Sequence, residues 1–125
     1  MTRHPTPAEA RNALEAERTI TLNRIDAMSA EFEEIVAGSV DSNADDEHDP
    51  EGSTIAFERA KTAALLQEAR ANLEELDLAG RRLDTGDYWT CVRCGGPIAA
   101  ARLMARPATR TCISCASAAP SAQTI

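Results

Sequence analysis

Four cysteines in the last third of the chain are the residues best suited to do chemistry. Cys91 and Cys94 form one C-x2-C pair, and Cys112 and Cys115 form a second pair after seventeen intervening residues. This spacing is typical of a tetrahedral zinc site, in which two tight turns each present two thiolates. Four sulfur ligands leave no open position for water. We therefore expect one structural Zn²⁺ ion at Cys91, Cys94, Cys112 and Cys115, and no metal-based catalysis.

Two other interpretations of the four cysteines, as disulfides or as a redox motif, fit the sequence less well than a zinc site does. A pair of disulfides is disfavoured in a reducing cytosol, and a redox C-x-x-C motif needs a thioredoxin-like βαβ context that this sequence lacks. Gly95 and Gly96 follow the first pair directly, so the backbone can fold beneath a metal and direct N–H groups at the thiolates. Because few other residues of this segment could build a core, the metal should supply much of its folding free energy.

The residues before the cysteines predict two long helices. Thr6, Pro7 and Glu9 form a helix start, with Thr6 and Glu9 as a capping box and Pro7 at the first helical position. Gly38 is a candidate end for this helix. A second helix begins near Asp49-Pro50 or at Ser53, and the two starts are not distinguished by the sequence.

Both helices carry a series of mostly apolar positions in alternating steps of four and three, the period of a coiled coil; five of seven are apolar in the first series and six of nine in the second. The first series is 14, 18, 21, 25, 28, 32 and 35, and the second is 55, 59, 62, 66, 69, 73, 76, 80 and 83. Two amphipathic helices of similar length most simply bury these faces against each other as an antiparallel hairpin. Self-association into a larger bundle through the same faces is the alternative.

The segment between the helices is strongly acidic. Residues 25–58 hold eleven Asp or Glu and no Lys or Arg, within a chain of 125 residues and net charge −7. We expect a polar tip loop over about 39–52, with its carboxylates as candidate partner-binding residues. These are Asp45, Asp46, Glu47, Asp49 and Glu51. A purely solubilising loop is the alternative. His48 in this segment is either a solvated residue or an aid to cation binding.

The expected organisation is therefore mainly α. It consists of a flexible N-terminus over 1–6, a helical hairpin over 7–84, a four-cysteine zinc finger over 85–117 and a flexible tail over 118–125. Phe57 lies off the apolar face of the second helix, so it is either an exposed anchor for a partner or packs at the end of the hairpin.

Several motifs around the cysteines resemble the C4 zinc finger of DksA/TraR-type bacterial transcription regulators. They are Leu83-Asp84-Thr85-Gly86-Asp87-Tyr88, Cys94-Gly95-Gly96-Pro97-Ile98, Arg102-Leu103 with Ala105 and Pro107, and Cys112-Ile113 with Cys115. The resemblance covers about 35 residues, and the preceding hairpin agrees with the architecture of that family. It implies a protein that binds RNA polymerase rather than DNA, with the coiled coil in the secondary channel and an acidic tip near the catalytic centre.

The tip departs from the family pattern. Where relatives often carry Asp-Pro-x-Asp-x-Ala, this chain reads Asp49-Pro50-Glu51-Gly52-Ser53-Thr54, so that Gly52 replaces the second Asp and Thr54 the Ala. The residues after Cys115 are also few compared with relatives that have a long C-terminal helix. Dependence on the alarmone ppGpp, which some members show, is therefore not carried over.

The net charge and the lack of certain motifs argue against several classes of function. The acidic net charge argues against a general grip on nucleic-acid phosphates, and we expect no sequence-specific DNA binding. No nucleophile–base pair or phosphate loop indicates an enzyme. No apolar run approaches membrane-spanning length, and we expect a cytoplasmic protein. The alternative function is a zinc-dependent protein-interaction or nucleic-acid-binding adaptor unrelated to polymerase.

Overall fold

Four helices make up the regular structure in a computed structural model of the chain. It describes the backbone of residues 3–42 and 50–123, and the side chains of residues 3–38 and 54–118. Helix α1 spans Pro7–Ser42, α2 Pro50–Thr85, α3 Ala100–Ala105 and α4 Ile113–Gln123. Within these described ranges the only β-type pairing is an isolated antiparallel bridge between Thr90 and Pro97. No described helix is long and apolar enough to cross a membrane.

The chain divides into two compact units that share the long helices. One unit contains residues 1–18 and 74–125, and the other contains residues 19–73. The first therefore joins the beginning of α1, the end of α2 and the cysteine-bearing segment. The second consists of the remaining parts of α1 and α2 with the segment that connects them.

Polar contacts join α1 and α2 in both units, and in the first unit they show that the two helices run antiparallel. In the first unit, Arg11 pairs with Asp84, and Arg18 Nε donates to Asp77 Oδ1 at 2.9 Å. In the second, Asn72 Nδ2 donates to Thr21 Oγ1 at 3.2 Å, and the Thr21 side chain is only 1% exposed. In the first unit the partner on α2 moves from Asp84 to Asp77 as the residue on α1 moves from Arg11 to Arg18, as in a helical hairpin.

The hairpin buries the predicted helix faces. In the first unit Leu14, Leu76 and Leu83 are buried, and in the second Thr62, Leu66 and Ala69 are buried. Arg18 and Arg59 are exposed. The heptad periodicity thus identified the packed face, and the prediction of a helical hairpin is confirmed. Ala10 and Ala79 also enter the core of the first unit, where small side chains permit close helix packing.

Helix α1 begins with the capping box that the sequence predicts. The Thr6 N–H donates to Glu9 Oε1 at 2.9 Å, and the Glu9 N–H donates to Thr6 Oγ1 at 3.1 Å. These bonds satisfy backbone donors that the first turn of a helix otherwise leaves without partners. Arg3 reinforces the arrangement by donating to both carboxylate oxygens of Glu9, at 2.9 and 3.1 Å.

The prediction that Gly38 ends the first helix was wrong. Helix α1 continues through Gly38 to Ser42, so the glycine is an interior helical residue. A glycine in a helix costs about 1 kcal/mol relative to alanine, which the remaining helical hydrogen bonds and packing readily offset. Helix α2 starts at Pro50, which agrees with the earlier of its two predicted starts.

The acidic tip lies largely outside the described residues. Asp45, Asp46, Glu47 and Asp49 fall in 43–49, as does His48, and for Glu51 only the helical backbone is described. Phe57 is described and is 71% exposed, which favours the interpretation of an accessible side chain over one packed at the hairpin end.

Candidate metal centre

The end of α2 directs the chain into the cysteine-bearing segment. Gly86 has φ +87°, a left-handed conformation that glycine adopts without the steric cost of a Cβ. The Asp87 N–H donates to the Arg82 carbonyl at 2.9 Å and the Gly86 N–H to the Leu83 carbonyl at 3.4 Å. This pair of bonds is a Schellman motif, which ends the helix while satisfying its last carbonyls. The following residue, Tyr88, is thereby placed in the core.

The first C-x2-C pair lies in a tight turn between Thr90 and Pro97. The Cys91 N–H donates to the Gly96 carbonyl at 2.8 Å, and the Gly95 N–H donates to the Cys91 carbonyl at 3.0 Å. Gly95 has φ +74°, so the turn requires the freedom that glycine provides. The Gly96 N–H points at Cys94 Sγ at 3.4 Å. The predicted role of the two glycines, folding the backbone below the sulfurs and directing an N–H group at one of them, is present in the structure.

The second pair lies at the beginning of α4. Cys112 directly precedes the helix, whose first residue is Ile113, and Cys115 is in its first turn. The Arg102 Nε on α3 donates to the Thr111 carbonyl at 2.7 Å, which ties α3 to the residue before Cys112. The Val92 N–H in turn donates to the Arg110 carbonyl at 2.9 Å, so the two cysteine-bearing segments are joined directly.

The four sulfurs converge to the dimensions of a zinc site. All four Sγ atoms lie within 4.8 Å of one another, and Cys94 Sγ and Cys112 Sγ are 3.8 Å apart. Zn–S bonds of about 2.3 Å in a tetrahedron place sulfurs about 3.8 Å apart. A disulfide needs about 2.05 Å, and all four cysteines are free thiols. The donor set and its spacing therefore fit one zinc ion and do not fit disulfides.

The local electrostatics favour thiolates on some of these sulfurs. Hydrogen bonds from backbone N–H groups, that of Cys94 foremost, lower the pKa of Cys91 to about 6. The backbone N–H of Cys115 likewise lowers the pKa of Cys112. Hydrogen bonds with the neighbouring thiols, Cys112 foremost, raise the pKa of Cys115 to about 12. Ionising all four sulfurs together thus requires a cation among them, which is the charge that Zn²⁺ supplies.

A small core supports the metal centre from the side of the hairpin. Tyr88 and Ile98 are fully buried, and Leu103 is 1% exposed. They form one cluster with Cys91 and with the core residues of α1 and α2 in the same unit. The Tyr88 hydroxyl donates to the Pro107 carbonyl at 2.7 Å, and burial raises the pKa of this phenol. The tyrosine therefore connects the end of α2 to the loop between α3 and α4.

Arg82 joins the end of α2 to the first cysteine turn. The Arg82 Nη2 atom donates to the carbonyl oxygens of Asp87 and Thr90, at 3.2 and 3.0 Å. Desolvation lowers the pKa of this partly buried guanidinium. The sequence offered no sign of this role, because an arginine near a helix C-terminus is equally consistent with an exposed cation.

Comparison with known proteins finds a likeness that is concentrated in the cysteine-bearing segment. A family profile described as "Prokaryotic dksA/traR C4-type zinc finger" matches residues 86–120. An uncharacterised protein of Aquifex aeolicus is 46% identical over 46 residues, which are 37% of this chain and 32% of that protein. The match thus spans about a third of the length of this relative.

A solved structure extends the likeness to the whole fold. The structure of transcription factor DksA2 from Pseudomonas aeruginosa superimposes with a TM-score of 0.73. The superposition covers 95% of this chain and 86% of that one, at 23% sequence identity. At this identity the likeness establishes a shared fold. The cysteine motif and the fold thus agree with the resemblance that the sequence shows, and a structural zinc ion follows from the four-cysteine finger.

Proposed function

We propose that the chain is a zinc-finger protein of the DksA/TraR type and that it regulates transcription by binding RNA polymerase. The observation that carries the proposal is the combination of the C4 finger over 86–120 with a DksA-like fold over nearly the whole chain. A zinc finger alone is compatible with many partners. Its attachment to a long antiparallel hairpin is what makes a polymerase-binding regulator the best interpretation.

In this proposal Cys91, Cys94, Cys112 and Cys115 all ligate the zinc ion, whose task is structural. The metal supplies charge neutralisation and holds the two cysteine-bearing segments together. The protein residues fix the orientation of this finger on the helices. Arg82 and Tyr88 do so through the hydrogen bonds that they make to backbone carbonyls.

The hairpin enters the secondary channel of the polymerase, and the segment between α1 and α2 acts near the catalytic centre. Its carboxylates at Asp45, Asp46, Glu47, Asp49 and Glu51 would face a site that holds catalytic Mg²⁺ and basic nucleotide-binding residues. They would alter metal or substrate binding electrostatically, without chemistry of their own. Neither sequence-specific DNA binding nor a requirement for ppGpp forms part of this proposal.

Site-specific cross-linking tests the channel directly. A photoreactive phenylalanine analogue at Phe57, which is 71% exposed, should be tolerated by the fold. We expect it to cross-link to residues that line the secondary channel when the chain is mixed with core RNA polymerase. Binding accompanied only by cross-links elsewhere on the enzyme would contradict the channel. Absence of binding would favour the alternative, a zinc-dependent adaptor for another partner.

Charge removal at the tip tests its role separately. Replacing Asp45, Asp46 and Asp49 by Asn removes three charges and keeps side-chain size. We expect the triple variant to retain polymerase binding and to lose most of its effect on transcription initiation in vitro. If the variant affects initiation as the unmodified chain does, the carboxylates are not the active element, and occupancy of the channel would explain any effect.

A further inference from the structure

The residues before α1 contact the cysteine-bearing segment, although most of them are also exposed to solvent. We call residues 3–6 the N-terminal strap. His4 Nε2 is 3.0 Å from the Ile98 carbonyl oxygen, and because a carbonyl only accepts, the imidazole donates. The His4 ring also meets the Trp89 indole edge-on, with centroids 6.2 Å apart and an angle of 81°. The strap therefore makes both a hydrogen bond and an aromatic contact with the finger.

Both ends of the strap, Arg3 and Thr6, are anchored on Glu9 in the first turn of α1. Arg3 donates to both oxygens of Glu9, and Thr6 exchanges hydrogen bonds with the same residue. His4 thus lies between two residues whose positions are fixed by hydrogen bonds to Glu9. Only a few backbone torsions must be ordered to place its ring, which keeps the entropic cost of the contact low.

The two residues that His4 contacts support the first cysteine turn. The Ile98 N–H donates to the Trp89 carbonyl at 2.9 Å, and the adjacent Thr90–Pro97 bridge encloses Cys91 and Cys94. Ile98 is fully buried beneath this turn. His4, Pro5 and Pro7 line one open cavity of about 710 Å³ together with residues of the turn, among them Gly95 and Pro97. The strap consequently lies beside the segment that carries half of the sulfurs and contacts its base, while Cys94, Gly95 and Pro97 stay exposed.

We propose that the N-terminal strap is a clamp on the zinc finger, coupled in both directions to the metal. The strap, through His4, holds the base of the first cysteine turn closed and slows the release of zinc. The metal in turn keeps Ile98 and Trp89 where His4 can reach them. At equilibrium, the free energy by which the strap strengthens zinc binding equals the free energy by which zinc strengthens the strap contact, so that loss of zinc loosens the strap. The proposal does not depend on a polymerase partner.

The rate of zinc transfer to a chromogenic chelator measures the first direction of the coupling. With the full-length zinc-loaded chain, we expect His4→Ala to accelerate release about fivefold, the effect of losing one ordinary hydrogen bond. His4→Gln, whose amide can donate to the same carbonyl, should recover part of the difference. His48→Ala is the matched control, since it removes the only other histidine and should leave the rate unchanged.

Spectroscopy measures the second direction. Trp89 is the only tryptophan, so the emission comes from this one side chain, which contacts both His4 and Tyr88. His4→Ala should shift the emission to longer wavelength while far-UV circular dichroism stays the same. Removal of zinc from the unmodified chain should shift the NMR resonances of the His4 ring towards those of a free histidine. An unchanged release rate in His4→Ala, or His4 resonances that do not respond to zinc removal, would overturn the proposal. Equal acceleration by His48→Ala would do so as well.

Discussion

Loss of a single cysteine should unfold the finger and spare most of the hairpin. The Sγ atoms of Cys94 and Cys112 are 3.8 Å apart in the cluster of four sulfurs. Replacing either cysteine by Ser leaves only three thiols to hold a zinc ion. Structural zinc sites in small finger peptides contribute about 10–16 kcal/mol at neutral pH, far more than a small apolar cluster can replace. We therefore expect each variant to lose the metal and residues 85–117 to lose their fixed structure.

The helices set the size of the expected spectroscopic change. Helices α1 and α2 have 36 residues each, whereas α3 and α4 in the finger have 6 and 11. Unfolding of the finger alone should thus remove about a fifth of the helical ellipticity at 222 nm. Hydrogen exchange should become fast in 85–117, whereas the described helical residues of the other compact unit, 19–42 and 50–73, should stay protected.

Elemental analysis together with hydrogen exchange provides the assay. Ser114→Ala is the matched control, because it alters the same turn of α4 and keeps all four thiols. We expect the control to hold one zinc per chain, with sulfur-only coordination in X-ray absorption. A cysteine variant that retains stoichiometric zinc and normal protection in 85–117 would show that the finger does not depend on all four sulfurs. Freshly purified protein without metal and with two disulfides would contradict the zinc site itself.

Three further predictions concern the fold. Leu66→Asp should cost about 3–5 kcal/mol in a thermal or denaturant melt, since it leaves a charge at a buried position, whereas Leu65→Asp at a 45% exposed position should change stability little. Tyr88→Phe should cost about 1–3 kcal/mol, because it leaves a backbone carbonyl without its 2.7 Å hydrogen bond; an unchanged melt would mean that water replaces the hydroxyl. Hydrogen bonds, that from Arg3 foremost, lower the pKa of Glu9 from 4.5 to about 2. The ionised Glu9 carboxylate therefore stabilises the folded chain fully above pH 4.5, and this contribution to the free energy of unfolding disappears as the pH falls through about 2. Glu9→Gln should weaken this acid dependence of the melting temperature, and identical pH profiles would contradict the role of the carboxylate.

Local sequence rules predicted the parts of the fold that local physics decides. The capping box at Thr6 and Glu9 depends on residues three apart, and the heptad faces depend on helical periodicity. The cysteine spacing likewise reflects a constraint on the metal geometry rather than on the rest of the chain. Gly38 shows where such rules fail. A glycine permits a helix end but does not require one, and the chain continues as helix because its neighbours still gain helical hydrogen bonds.

Contacts between residues far apart in sequence were not predictable. His4 reaches Ile98 across 94 positions, and neither residue type marks the pair. Arg82 and Tyr88 act through backbone carbonyls, which every residue possesses, so no side-chain pattern identifies their partners. The cluster that joins the finger to α1 and α2 has the same origin, because it depends on which faces meet in three dimensions.

A direct titration tests whether the zinc-loaded chain binds RNA polymerase. A fluorescently labelled, zinc-loaded chain would be titrated with core RNA polymerase purified from the host bacterium, and its anisotropy recorded. We expect saturable binding of one chain per polymerase, weakened by Cys94→Ser and largely kept when Asp45, Asp46 and Asp49 are replaced by Asn. Zinc-loaded chain whose anisotropy does not respond to polymerase at micromolar concentrations would contradict the proposed binding.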